Sequence, residues 1–338
     1  MGEKLSQKQI RLTCVVPKSD DPTSFYRAFG PLGELRKTIP GLEFNLPNVY
    51  SWATMGVCDA IFMQRPADPQ CLQIAQIAKL TGTPLWIDFD DDNLAVPESN
   101  ETHEFFGQWN IKDTIVKCSR LADVITVSTE FLRKKYSIYN KNIFVIPNSI
   151  NERYLPLRNI IPKRPRDKVI LWRGGPGFHA NIAEIVPSIN KLAAANPTWK
   201  WVFMGHNPYE IKVKNKQFIP WMDYLSYLQA ICQLHPTTFI YCLEPNDHSL
   251  SRSNCIWLEA TFAGSVALCK ALPEFDRPGC LTFQNAEEFE AKMTGIMNKE
   301  IDVEAKYQES WDHISKNYML SQHNVGRKEI LEKLVGAR

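Results

Sequence analysis

The chain has 338 residues, 44% of them apolar and 22% charged, and a formal net charge of +2. That length suits two medium-sized domains with cores built without disulfides or metals, and the near-neutral charge gives no footprint of nucleic-acid or acidic-membrane binding. Nine cysteines with no C-x-x-C pair argue against a zinc site or a disulfide framework and fit a reducing, cytoplasmic setting.

The opening MGEKLSQKQI is too polar for a secretory signal. It matches the loose M-G-x-x-x-S lipidation pattern with no second anchoring signal beside it. Short β-rich runs then alternate with amphipathic segments. Strands are predicted at 12–17, 60–64, 84–89, 123–128 and 143–148, and helices at 25–37, 69–80, 111–122 and 128–136. In the third helix Ile111, Ile115, Cys118, Leu121 and Ala122 recur at helical spacing. Ser128 is the expected N-cap of the fourth. Such repetition implies a parallel sheet covered on both faces.

The rhythm breaks at NERYLPLRNIIPKRPRDK, residues 151–168, which holds three prolines and no clean period and reads as a linker. It restarts with strands at 169–173, 199–205, 239–244 and 265–270, and helices at 182–195, 222–234 and 253–264; two more helices, near 286–298 and 304–334, close the chain. The expected organisation is an N-terminal Rossmann-like domain over 1–155, a linker over 156–168, a second Rossmann-like domain over 169–315, and a segment 316–338 able to pack back on the first domain. Two such doubly wound α/β domains would face a cleft, with ligands beyond the carboxyl ends of their strands.

Two loops of the second domain carry chemistry. After strand 169–173 the chain reads Arg173-Gly174-Gly175-Pro176-Gly177-Phe178-His179. A planar cation beside free backbone amides suits a diphosphate; without the G-K-[ST] ending it is no P-loop, and alone it fits a plain turn equally well. The segment 243–254 leads into the helix that carries Glu259, with Ser251, Ser253 and Asn254 near the helix start. Those residues can cap the helix, and the same end can hold an anion. Glu259 falls beside an apolar stripe of Cys255, Leu258 and Phe262, at about 40° from Cys255, and has no cation at i±3 or i±4 on its own helix. A half-buried carboxylate needs a partner; ribose hydroxyls or a cation from elsewhere in the fold would serve equally.

The segments ADVITVSTEFLRKKY…NIFVIPNSIN (122–151) and LEATFAGSVALCKALPEFDRPG (258–279) resemble glycosyltransferases of the family-4 type, the group 1 glycosyl transferases of GT-B fold. The resemblance covers most of residues 55–295. It implies that Glu259 takes the ribose hydroxyls, that Ser253, Asn254 and Arg173 hold the diphosphate with Gly174 and Gly175, that Glu274 of Pro273-Glu274-Phe275 lies near the sugar, and that Ile219 and Trp221 hold the base. Two positions depart from the family pattern. Ser251 stands where many members have the first of two glutamates, and His179 stands near the place of a usual lysine; a histidine there can still donate to a phosphate. These departures resemble a bacterial and phage-encoded subgroup.

In the N-terminal half, Asp88-Phe89-Asp90-Asp91-Asp92 contains a D-x-D motif that would suggest a metal-bound nucleotide sugar in a single-domain enzyme. Tandem α/β units argue instead that Asp90 and Asp91 cap a turn or bind acceptor hydroxyls, with Arg27 and Arg65 candidates for the same acceptor face. The expectation is a hexosyltransferase that uses a nucleotide-diphosphate sugar, UDP- or GDP-linked, with no obligatory metal or cofactor and with retention. The acceptor could be a glycan, a small molecule or a modified nucleic-acid base. A sugar-nucleotide epimerase and a non-catalytic sugar-nucleotide binder are the other readings.

Overall fold

A computed structural model describes residues 9–17, 22–46, 58–163, 165–175 and 179–336. The opening polar segment with its lipidation pattern, the loop residues Pro176, Gly177 and Phe178, and the side chain of His179 lie outside what is described.

The described residues form two compact units. Unit 1 takes the residues up to Val96, then Glu104–Asn148, and the chain from Leu320 onward; unit 2 takes Pro97–His103 and Ser149–Met319. Unit 1 carries strands β1 (Ile10–Val15), β2 (Leu42–Asn45), β3 (Ala60–Gln64), β4 (Leu85–Phe89), β5 (Val124–Val127) and β6 (Ile143–Val145), and unit 2 carries β7 (Asp167–Gly174), β8 (Lys200–Gly205), β9 (Lys216–Pro220), β10 (Pro236–Tyr241), β11 (Val266–Lys270) and β12 (Leu281–Phe283).

Each unit holds one six-stranded sheet, ordered β2-β1-β3-β4-β5-β6 and β12-β11-β10-β7-β8-β9, and every pairing is parallel. Apolar clusters cover both faces of each sheet, as parallel strands require. In both sheets the strand order reverses once, between β1 and β3 and between β7 and β10, and that switch point is where α/β sheets bind ligands.

Three strands carry little sequence signal: β2, β9 and β12. All three are sheet edges, short and paired on one side only, and β2 and β9 mix exposed positions with buried or half-buried ones instead of running continuously apolar. The expected linker contains a 3-10 helix, Glu152–Ile160, whose Pro156 hides it from a search for the helical period. The expected helix 182–195 is two, His179–Ala183 and Val186–Ala195, because Pro187 cannot donate within a continuing helix and starts a new one. The expected helix 304–334 is also two, Val303–Asn317 and Leu320–Gly336. Thr129, not Ser128, caps the helix Glu130–Tyr136 by accepting from Leu132 N at 3.2 Å; Ser128 Oγ donates instead to the Asp90 carbonyl at 2.8 Å.

All nine cysteines are free thiols, six of them buried. Burial pushes Cys14, Cys232 and Cys242 up to about 12 and Cys71 up to about 11. Because the thiolate is the reactive form, titration of the native protein with a disulfide reagent at pH 8 is expected to modify Cys71, Cys255 and Cys280 at most, with the remaining thiols released only by denaturant. Rapid reaction of more than three would contradict this packing.

Candidate functional site

The carboxyl end of β7 sits at the switch point of unit 2, and there Arg173 meets Glu259. Strand alternation sends Leu171 into the cluster that also holds Leu258 and Phe262, so Arg173 emerges on the same face. Arg173 Nε donates to Glu259 Oε2 at 2.8 Å, and Tyr227 Oη donates to the same oxygen at 2.7 Å. The Glu259 side chain is 4% exposed and that of Arg173 is 24%. The cation that the sequence left open for Glu259 is therefore Arg173 itself. With Nε committed to Glu259, neither terminal nitrogen of the guanidinium makes a hydrogen bond among the described residues.

The electrostatics follow from burial. Desolvation is the largest single influence on Arg173 and opposes its charge, but the Glu259 carboxylate together with Tyr227, Tyr241 and Cys255 outweighs it and holds the guanidinium above its ordinary range. Burial and the Glu259 charge together raise the Tyr227 phenol well above its usual value, against a lowering from Arg173, so it stays protonated and remains a donor. The Tyr241 ring, at the end of β10, lies 6.0 Å from the Arg173 guanidinium and packs edge-on against Phe275 at 5.6 Å. Sequence reasoning missed Tyr227. It sits in the first turn of the helix Tyr224–Leu234, where it reads as one more apolar position.

The helix that carries Glu259, Cys255–Phe262, is buried on every side from Ile256 to Phe262, so the expected single apolar stripe does not exist. Asn254 occupies its N-cap position, but its side chain makes no capping bond. Ser253 Oγ contacts Cys255 Sγ at 3.5 Å. Ser251 is fully buried and donates to the His248 carbonyl at 2.6 Å; it closes a one-turn helix, Asp247–Leu250, within the expected loop.

Gly174, Gly205 and Pro220 lie side by side across β7, β8 and β9, which places Ile219 and Trp221 beside the end of β7. Gly205 has φ +89°, and a Cβ there would lie 2.6 Å from the Gly174 carbonyl and 3.2 Å from the Trp221 ring. The glycine is what lets the indole approach. Trp221 remains 60% exposed, while Ile219 packs against the core. Gly175 is half-buried. Glu274 forms an ion pair with Arg277, which also bonds Tyr318. Lys270, unremarked in the sequence, ends β11 and pairs with Glu184 at 2.6 Å; it packs with Phe283 on the sheet face opposite Arg173. His179 opens a short helix.

In unit 1, Arg27 is buried. Its Nε and Nη2 bind the two oxygens of Asp88 at 2.8 and 2.7 Å, and its Nη1 donates to the Ile146 carbonyl and Asn148. Arg65, at a left-handed φ of 47°, lies 3.5 Å from Asp90, and Asp92 pairs with Lys135 at 2.8 Å. Asp91 is half-buried beside them. Three carboxylates of the acidic run thus have cationic partners. Among the described residues no group of three or more His, Cys, Asp or Glu side chains is placed to hold a metal ion, and no helix is long and apolar enough to cross a membrane.

No protein-family model and no curated protein sequence matches the chain. Solved structures do match. Anabaena HepE in complex with UDP and glucose aligns over 96% of this chain and 100% of its own, with a TM-score of 0.68 at 11% identity. The sucrose-phosphate synthase of Thermosynechococcus elongatus aligns over 98% and 100%, with a TM-score of 0.67 at 11% identity. The UDP-GlcNAc 2-epimerase of Neisseria meningitidis bound to UDP-GlcNAc aligns over 96% and 100%, with a TM-score of 0.57 at 13% identity. These likenesses span both units and, with the two parallel sheets, place the chain in the GT-B fold class of tandem Rossmann-like domains.

Proposed function

We propose that this chain is a family-4-type glycosyltransferase that moves a hexose-type sugar from a UDP- or GDP-linked donor to an acceptor, with retention and without an obligatory metal. Unit 2 holds the donor and unit 1 receives the acceptor. The observation that carries this reading is the fork of Arg173. Its Nε is anchored by Glu259, which leaves two terminal nitrogens of a partly exposed guanidinium at the switch point, the geometry of bidentate phosphate recognition. The amides at the start of the helix Cys255–Phe262 have no intrahelical acceptor and favour the same anion; Ser253 and Asn254 stand at that end, with Gly174 and Gly175 beside Arg173. Trp221 offers a stacking surface for the base next to Ile219, and Glu259 and Glu274 are the carboxylates for the ribose and the sugar. That the matched structures include ones solved with UDP or a UDP-sugar supports this choice of donor.

In the reaction the bond from the anomeric carbon to the diphosphate oxygen breaks, and the acceptor oxygen bonds that carbon on the same face. The acceptor's proton passes to the departing diphosphate. Arg173, His179 and the helix amides stabilise the negative charge as it develops. Arg65, Asp90 and Asp91 stand at carboxyl ends of unit 1 strands for the acceptor, with Arg27 beneath them.

Calorimetry against UDP, GDP, ADP and dTDP and their sugars tests the reading. One of these nucleotides is expected to bind the wild type, and Trp221→Ala is expected to weaken it about 10-fold or more, since stacking a base on an aromatic ring is worth about 1–3 kcal/mol. Failure of all four to bind, or binding unaltered by Trp221→Ala, would refute it. Donor consumed with no acceptor present and recovered as an isomer would make the protein an epimerase; binding without any turnover would make it a sugar-nucleotide binder.

A further inference from the structure

The strands β10 and β7 are neighbours at the switch point of unit 2, and open α/β sheets bind ligands in the crevice between the loops that leave such a pair. Arg173 stands at the end of β7. The chain leaving β10 carries Glu244, just beyond Tyr241, whose ring lies 6.0 Å from the Arg173 guanidinium. The chains that leave the two strands are tied to each other: Glu244 N donates to Asn181 Oδ1 at 3.0 Å. Asn181 lies on the short helix His179–Ala183 that follows β7, and it is 9% exposed. The Glu244 carbonyl in turn accepts from Asn246 N at 2.9 Å. Glu244 is therefore fixed in place at the rim of the crevice, and it is half-buried.

Its carboxylate is held at one oxygen and open at the other. Ser99 Oγ donates to Glu244 Oε2 at 2.7 Å, and Asn246 Nδ2 reaches the same oxygen at 3.4 Å. Ser99 belongs to the segment Pro97–His103, which packs as part of unit 2. Among the described residues Oε1 accepts no hydrogen bond and no cation pairs with the group. The other carboxylates of the site are engaged: Glu259 with Arg173 and Tyr227, and Glu274 with Arg277. Anchoring Ser99 alone takes one acceptor oxygen, which an amide would supply as well. A charged oxygen left open calls for donors, and its charge repels a phosphate. Neutral hydroxyls fit, and a charged acceptor bonds them more strongly than a neutral one does.

We infer that Glu244 reads the sugar of the donor: Oε1 accepts from hydroxyls of the transferred ring, and Ser99 and Asn246 hold the carboxylate in the orientation that does so. A sugar in which the matching hydroxyl is inverted leaves that oxygen unmet, which is how a site built around a hydrogen bond rejects an analogue. The inference rests on the reading of unit 2 as the donor site.

The test is calorimetry on the full chain with UDP, UDP-glucose, UDP-galactose, UDP-N-acetylglucosamine, GDP and GDP-mannose. The wild type is expected to prefer one sugar over others on the same nucleotide. Glu244→Gln keeps the shape and an acceptor for Ser99, breaks no ion pair, and is expected to fold with an unchanged Tm. It should bind the preferred nucleotide sugar about 10-fold more weakly or worse, as loss of a hydrogen bond to a charged group implies, which brings it level with the other sugars. The free nucleotide should bind as it does to the wild type. Ser99→Ala, which keeps the carboxylate, is expected to retain the preference. The inference is overturned if the wild type binds nucleotide with no preference among sugars, if the preference survives Glu244→Gln, if the free nucleotide is weakened as much as the nucleotide sugar, or if Ser99→Ala erases the preference as fully as Glu244→Gln. Each of these leaves the donor reading standing. A wild type that binds no nucleotide at all defeats both.

Discussion

Arg173→Met is expected to reduce kcat/KM by about 100- to 1,000-fold, the loss seen when one fixed donor to a developing oxyanion is removed. It should also weaken binding of the nucleotide diphosphate, because the terminal nitrogens of the fork are lost with the side chain. The substitution has a second effect. Glu259 is 4% exposed and would lose its bonded cation while the Tyr227 hydroxyl still donates to it. Breaking a buried pair costs about 3–5 kcal/mol; the partial exposure of Arg173 places the expected loss toward the lower end of that range. The two effects can be separated. Adding Glu259→Gln to Arg173→Met removes the stranded charge, so the double variant should unfold at higher denaturant than the single one while staying inactive. A single variant with full turnover would sink the assignment of Arg173 to the leaving group, and one as stable as the wild type would sink the ion-pair argument.

Asp88→Asn is expected to have the larger effect on folding. Arg27 has no side-chain exposure, and Asp88 supplies both oxygens of its bidentate pair. Without that carboxylate, the buried Arg27 loses its bidentate partner, and the favourable field of Asp88 on the buried Arg327 is lost as well. The expected cost is at least the about 3–5 kcal/mol of a broken buried pair, a large share of the roughly 5–15 kcal/mol that stabilises a folded chain. At about 2–4 °C per kcal/mol for a unit of this size, the melting transition of unit 1 should fall by about 6–20 °C, while binding at the proposed donor site of unit 2 should persist in whatever remains folded. Arg27→Met with Asp88→Leu should recover much of the loss, since well-packed apolar groups replace a buried pair at little expense. An unshifted transition for Asp88→Asn would mean that the Arg27–Asp88 pair does not hold unit 1 together.

The central strands that were legible in the sequence share one property: both faces are buried. The strands β3, β4, β7, β8 and β11 are continuous apolar runs in the chain and central or near-central in their sheets. The edge strands β2 and β9 were not legible, because they keep solvent-facing positions and lose the apolar run, and β12 offers only three residues; the edge strand β6 was found from the run IFVIPN. The helix Cys255–Phe262 was placed within two residues at each end, but its single apolar stripe was not real. From Ile256 to Phe262 it is buried all round, so looking for one stripe found a pattern that the surroundings do not impose. At the site, Arg173 and Trp221 were legible from strand ends and a family resemblance. Tyr227 was not, since a tyrosine inside an amphipathic helix looks like core until something shows where its hydroxyl points.

From residue order alone came the alternation of strand and helix, hence two parallel α/β units with loops at their carboxyl ends, and the short list of segments in which Arg173 and Glu259 stand. These are consequences of burial patterns and backbone chirality, which act over a few residues and leave a local trace. Only the tertiary structure decided that Arg173 is the partner of Glu259 across 86 positions, and that Arg27 and Asp88 neutralise each other across 61. Charge compensation in a low-dielectric interior is settled between groups that meet in space, and no periodicity in the chain records which ones will meet.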